Sequence, residues 1–91
     1  MEAVKVYLTQ ACPYCVRAKR FLNENGIKFT EIDLTHNHSE LMRLKSETNW
    51  QTVPMIFIGS HFIGGYTDMM ALHKKGELKI LLDEALASEK S

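Results

Sequence analysis

Apolar and polar positions alternate at the start of the chain. Val4, Val6 and Leu8 are interleaved with Lys5 and Tyr7, the period of two that marks a strand, here ending near Thr9. The period then changes. Pro13 suits a helical first turn, where its missing N–H is not needed, and Ala18, Phe21 and Leu22 recur at helical spacing until Asn25-Gly26 supplies a stop. Ile27 to Leu34 reads as a second strand, with Phe29, Ile32 and Leu34 loosely alternating; the intervening helix makes it parallel to the first by a right-handed crossover. Thr35 to His38 is a polar loop, and Ser39 is the expected cap of a second helix that carries Leu41, Met42 and Leu44 and ends near Asn49. Val53 to Ile58 is a nearly all-apolar strand, Gly59-Ser60 a two-residue hairpin turn, and His61-Phe62-Ile63 the antiparallel return. Gly64-Gly65 breaks the strand, Thr67 is the expected cap of a third helix with Asp68 in its first turn, and Gly76 separates a last helix. There Leu78, Leu81, Leu82, Ala85 and Leu86 form one apolar face, and Ala87 to Ser91 reads as a frayed end. The order βαβ, α, ββ, αα predicts an α/β fold, a four-stranded mixed sheet flanked by helices.

Composition narrows this. Ninety-one residues at 45% apolar content suffice for one core and not for two, so residues 1–91 are expected to form a single domain. Eleven basic side chains balance eleven acidic ones, which leaves no electrostatic footprint for nucleic acid or an anionic membrane. The first residues mix charges into the apolar stretch, and no uninterrupted apolar run reaches membrane length. The expectation is a soluble, cytoplasmic monomer that recognises partners through local chemistry.

The two cysteines supply that chemistry. Cys12 and Cys15 lie so close in sequence that a bridge between them closes almost no loop and adds little to folding, which shifts the weight to reactivity. The same spacing is half of a zinc site, but no second C-x-x-C follows, and His36 and His38 in a polar loop read as solvated; no metal is expected. A thiolate is the attacking species in disulfide exchange, and at a helix N-terminus unpaired N–H groups and the helix dipole lower C-x-x-C pKa values to roughly 3.5–7.5. Cys12 occupies that end. Cys15 comes to the same helix face one turn deeper, so Cys12 is expected to attack and Cys15 to resolve. Arg17, Lys19 and Arg20 add positive charge on the same helix as solvated surface.

Three motifs then fall into register: Cys12-Pro13-Tyr14-Cys15 after a short strand, Thr52-Val53-Pro54 downstream, and Gly64-Gly65-Tyr66-Thr67-Asp68 after a hairpin. Together they resemble a dithiol glutaredoxin over nearly the whole chain, Val4 to about Leu86. The resemblance implies a thioredoxin-like fold and a glutathione-dependent oxidoreductase acting on protein disulfides and glutathione mixed disulfides, with glutathione as co-substrate and no tightly bound cofactor. It implies that Pro54 is a cis-proline facing the cysteines and that Val53 offers its backbone N–H and C=O to the cysteinyl part of glutathione, as an added strand would. It also implies that Thr67 and neighbouring N–H groups take the γ-glutamyl carboxylate and Asp68 the ammonium, with Tyr14, Thr52 and Gly65 completing the site.

Four positions depart from the family pattern or extend it. Thr9 stands where many glutaredoxins carry a lysine, so one cationic contact to the thiolate or to the glycyl carboxylate of glutathione is missing; Gln51, where a basic residue is frequent, can substitute by an amide hydrogen bond and Lys19 by its charge, each being otherwise solvated surface. Tyr66 replaces a frequent cysteine, and of two places open to Trp50, flanking the glutathione groove or covering the sheet edge, the second is expected. Two other functions share Cys12. One is a module in which it and glutathione ligate a [2Fe-2S] cluster, against which the rigid Pro13 argues; the other is a redoxin reduced by a flavoprotein, which has no need of Thr67 and Asp68 as ligand groups.

Overall fold

The alternation that begins at Val4 produces the second strand of a four-stranded sheet. The computed structural model describes residues 3–90, with side chains described through residue 87. Its elements are β1 (Val4–Leu8), α1 (Pro13–Glu24), β2 (Phe29–Asp33), α2 (His38–Thr48), β3 (Met55–Ile58), β4 (His61–Gly64), α3 (Tyr66–Lys74) and α4 (Glu77–Lys90). The strand order is β2-β1-β3-β4. β1 runs parallel to β2, with Val4 opposite Phe29 and Leu8 opposite Asp33, and antiparallel to β3, with Val4 opposite Ile58 and Tyr7 opposite Met55. This is the mixed, helix-flanked sheet of a thioredoxin-like fold.

The period of two sorts side chains between two cores. Val4, Val6, Leu8, Ile56 and Ile58 point to one face, where they pack with Cys15, Ala18 and Leu22 of α1, Met69 of α3 and Leu78 of α4. Tyr7, Ile32, Met55 and Phe57 point to the other, against Leu41 and Leu44 of α2 and the rings of Trp50 and Phe62. β1 contributes to both, and its charged position, Lys5, is the exposed one.

Several boundaries differ from the sequence expectation. β2 begins at Phe29 because the Ile27 N–H is drawn back to the Leu22 carbonyl at 2.9 Å, closing the end of α1. β3 begins at Met55 because Pro54 has no N–H to give a ladder. The cap of α2 is Asn37, whose Oδ1 accepts the Glu40 N–H at 3.3 Å, and Ser39 lies inside the helix. The cap of α3 is Gly65, and Thr67 lies in the first turn. α4 runs on to Lys90, since Ala87 to Lys90 holds no breaker and consists mostly of good helix formers; Ser91 lies outside the described residues. Leu78, Leu81, Leu82 and Ala85 pack on the core as expected, whereas Leu86 is 47% exposed. It rims a groove against Ile27 and Leu82, at the end of β1 remote from the cysteines.

Candidate active site

Sheet order dictates which loops meet. The chain leaving β1 at Leu8 stands beside the chain entering β3, because β3 is antiparallel and starts opposite Tyr7. β4 then returns Gly64 to the level of Ile56, so the start of α3 is brought to the same end of the sheet. Cys12, residues 53–54 and the first turn of α3 therefore converge without any long excursion of the chain.

Cys12 is the N-cap of α1, in extended conformation, with Pro13 as the first helical residue. Its Sγ accepts the Cys15 N–H at 3.2 Å and, as a thiol, donates to the Val53 carbonyl at 3.5 Å. The sulfur thus occupies the position that a capping oxygen fills in other helices and satisfies one of the free N–H groups of the first turn. Cys15 is 2% exposed and lies in the principal core. Burial, reinforced by its hydrogen bond with Cys12, pushes the Cys15 thiol up to about 12, so at neutral pH it is a neutral thiol. The two cysteines are both free thiols, one partly exposed at the surface and one closed away behind it.

A groove of about 330 Å³ opens beside this pair. Thr52, Val53 and Pro54 form one wall, and the Val53–Pro54 peptide bond is cis. Gly65, Thr67 and Asp68 form the other, at the N-terminus of α3. Asp68 Oδ2 accepts the Gly65 N–H at 3.0 Å, which fixes the carboxylate at the groove rim. Gly64 has φ of +107°, and a Cβ there would lie 2.7 Å from the Asp68 carboxylate carbon, so only glycine leaves room for this arrangement. Tyr14 lines the groove as well, half exposed. Gln51 is exposed and is not among the groove-lining residues.

Two aromatic residues enlarge the site, and of these Tyr66 goes beyond what the sequence indicated. Trp50 does pack against the edge strand, its ring 5.6 Å from that of Phe62, but it also lines the groove beside Gly65. Tyr66 stacks on Tyr14 with ring centroids 6.1 Å apart, joining α1 to α3 across the groove. Its place between Gly65 and Thr67 was the available signal. Arg17 lies over the Tyr14 ring, 5.2 Å from its centre. Lys19 turns away to Glu31 at 3.4 Å. Among the described residues no group of three potential metal-binding side chains forms, and His36 and His38 are exposed near the start of α2.

A helix-capping cysteine backed by a buried one, facing a cis-proline at the end of a four-stranded mixed sheet, defines a thioredoxin-like dithiol oxidoreductase. The Glutaredoxin family model matches residues 4–63. Glutaredoxin 3 of Escherichia coli (strain K12) is 38% identical over 82 residues, covering 90% of this chain and 99% of its own. Glutaredoxin-C2 of Arabidopsis thaliana is 42% identical over 87 residues, covering 92% of this chain and 78% of its own. Among solved structures, a buckwheat glutaredoxin-glutathione complex superposes with a TM-score of 0.87 at 30% identity, over 92% of this chain and 79% of that one. The chain belongs to the glutaredoxin family, and its activity is that of a glutathione-dependent thiol-disulfide oxidoreductase.

Proposed function

We propose that Cys12 is the nucleophile of this activity, that Cys15 resolves only the protein-disulfide branch, and that the groove between residues 52–54 and the start of α3 holds glutathione. The observation that carries this is the placement of Cys12 Sγ at the N-terminus of α1, within reach of the Val53 backbone that forms one wall of the groove. On a glutathionylated protein, the Cys12 thiolate attacks the glutathione sulfur. The old S–S bond breaks, the protein thiolate leaves and takes a proton from solvent, and glutathione is left on Cys12. A glutathione thiolate then attacks the glutathione sulfur of that intermediate, giving glutathione disulfide and restoring the Cys12 thiolate. The net reaction consumes one glutathione thiol: the protein mixed disulfide is exchanged for glutathione disulfide, and the protein thiol is released.

On a protein disulfide, Cys12 forms the mixed disulfide and Cys15 attacks the Cys12 sulfur. The substrate leaves as a dithiol, and a Cys12–Cys15 bridge remains for two glutathiones to reduce. Part of what holds the Cys15 proton is its hydrogen bond to Cys12, and this is lost once the Cys12 sulfur is in a disulfide. The Val53 backbone, in the groove wall, pairs with the cysteinyl backbone of glutathione in this reading. The free N–H groups of α3 with Thr67 suit its α-carboxylate, and Asp68 suits its ammonium. Tyr14, Thr52, Pro54 and Gly65 shape the contact surface, while Gln51 reaches the ligand only by turning its exposed amide inward. We place the protein in the cytoplasm as a monomer acting on glutathionylated or disulfide-bearing proteins, with no cofactor held between turnovers; a cysteine pair suited to reactivity in place of structural bridging fits a reducing compartment.

The test is a glutathione-dependent assay on a glutathionylated peptide and on a protein disulfide. Cys12→Ser abolishes both reactions, and Cys15→Ser retains the first while losing the second. Equal loss of the first reaction in the two variants would overturn the division of labour.

A further inference from the structure

Thr9, Gln10 and Ala11 carry the chain from the end of β1 to Cys12, and this link is tied to the segment that follows β2. The Leu34 N–H extends the β1–β2 ladder by donating to the Leu8 carbonyl at 2.7 Å. The Gln10 N–H donates to the Thr35 hydroxyl oxygen at 2.9 Å, and Gln10 Nε2 donates to Asp33 Oδ2 at 3.2 Å. The Thr35 hydroxyl gives its own proton to Asp33 Oδ1, which also accepts the Thr35 N–H at 2.9 Å. Asp33 thus holds Thr35, and both hold Gln10. Thr35 keeps the Asp33 carboxyl below the usual carboxylate range, with Gln10 and the charge of His36 adding to the effect, so the clamp is intact at neutral pH.

An extended backbone points successive N–H groups to opposite sides. The Leu8 carbonyl and the Gln10 N–H both face β2, so the Thr9 N–H between them faces away from it. Cys15 shares a core with Leu8. Burial raises the Cys15 thiol, and the Thr9 N–H, hydrogen-bonded to its sulfur, works against burial by favouring the ionised form. The other group that does so, Lys19, contributes less and is paired with Glu31.

We infer that Gln10, Thr35 and Asp33 are positioning residues for the resolving step, holding the Thr9 N–H on the sulfur of Cys15 as that sulfur attacks; the inference rests on the division of labour proposed for the two cysteines. In this step Cys15 gives its proton to solvent and its thiolate attacks the Cys12 sulfur of the mixed disulfide. The Cys12–Cys15 bond forms as the bond to the substrate breaks, and the substrate sulfur leaves as a thiolate that takes a proton from solvent. The Thr9 N–H stabilises the attacking thiolate. Removal of glutathione from a protein by Cys12 never forms that thiolate, so this branch does not draw on the clamp.

The experiment measures kcat/KM on a protein disulfide and on a glutathionylated peptide, with glutathione as reductant, for wild type, Thr35→Val, Thr35→Ser and Asp33→Ala. Both positions are exposed, and far-ultraviolet circular dichroism checks that each variant is folded. Thr35→Val removes the acceptor of the Gln10 N–H and the hydroxyl bond to Asp33. It lowers kcat/KM on the protein disulfide about fivefold, the scale of one net hydrogen bond, and changes that on the peptide by less than about twofold. Asp33→Ala, which lets the Thr35 hydroxyl turn away, shows the same selectivity. Thr35→Ser keeps the hydroxyl and restores protein-disulfide turnover. Equal losses on the two substrates overturn the inference and leave the proposed activity standing, because the clamp then serves Cys12 or the fold at large. Unchanged protein-disulfide turnover in Thr35→Val overturns it as well, as does a Thr35→Ser variant as impaired as Thr35→Val. Protein-disulfide turnover that survives Cys15→Ser sinks the division of labour itself.

Discussion

Cys12 and Cys15 are the same side chain on adjacent turns of one helix, and their surroundings make them chemically unlike. Cys12 caps the helix at the surface, and Cys15 is enclosed by aliphatic side chains with its thiol raised to about 12. At neutral pH, brief treatment of the reduced protein with iodoacetamide therefore places one adduct, on Cys12, and the second appears only in denaturant; peptide mass spectrometry reads this directly. A second single-residue effect concerns Asp33, whose folded carboxyl lies below its unfolded value because Thr35 and Gln10 donate to it. Such a group contributes stability above the unfolded value and loses the contribution as pH falls through the folded one. Asp33→Asn is accordingly expected to lower Tm at neutral pH, and the gap from wild type is expected to narrow as pH falls through the acid range and Asp33 takes up its proton.

At the scale of elements, the start of α3 concentrates the constraints. Gly64 at positive φ, Gly65 as cap and Asp68 reaching back to the Gly65 N–H form one unit. Gly64→Ala strains the backbone and drives its methyl into the Asp68 carboxylate, at a cost of about 1–3 kcal/mol in urea unfolding. Displacing Asp68 also raises KM for glutathionylated substrates, which separates this variant from one that is merely less stable. The same unit shows how far the sequence carries. The strands, the helices and their order were legible because apolar spacing switches cleanly between two periods. Helix starts were not, because both Ser39 and Asn37, and both Thr67 and Gly65, fit the capping pattern, and only the folded backbone decides which N–H each side chain meets. Cys12, Val53, Pro54, Gly65 and Asp68 were named from motifs that sit on local turns. Tyr66 escaped as a groove residue, and Trp50 was assigned to the sheet edge in preference to the groove it also lines, because the groove is assembled from three segments distant in sequence, and which face a ring covers is fixed only when they meet. Gln51 shows the converse: its place beside Thr52 in sequence does not turn its side chain into the groove.

At the scale of the whole molecule, chemistry and stability occupy opposite ends. The groove lies where β1 ends and β3 begins, while α4 covers the turn between β3 and β4 and the start of β1 through Leu78, Leu81, Leu82 and Ala85. Leu78→Ala, at a position 3% exposed, is expected to cost about 2–5 kcal/mol in chemical denaturation and to leave kcat/KM per folded molecule unchanged. The burial of Cys15 has one more consequence. Its sulfur belongs to the core of Val6, Leu8, Ala18 and Leu22, with Met69 of α3 and Leu78 of α4, yet it lies in the first turn of α1, directly behind Cys12. The rate at which native protein in plain buffer yields its second thiol to a fast reagent therefore reports how often the first turn of α1 lifts from the core, and the resolving cysteine serves as a built-in clock for that opening.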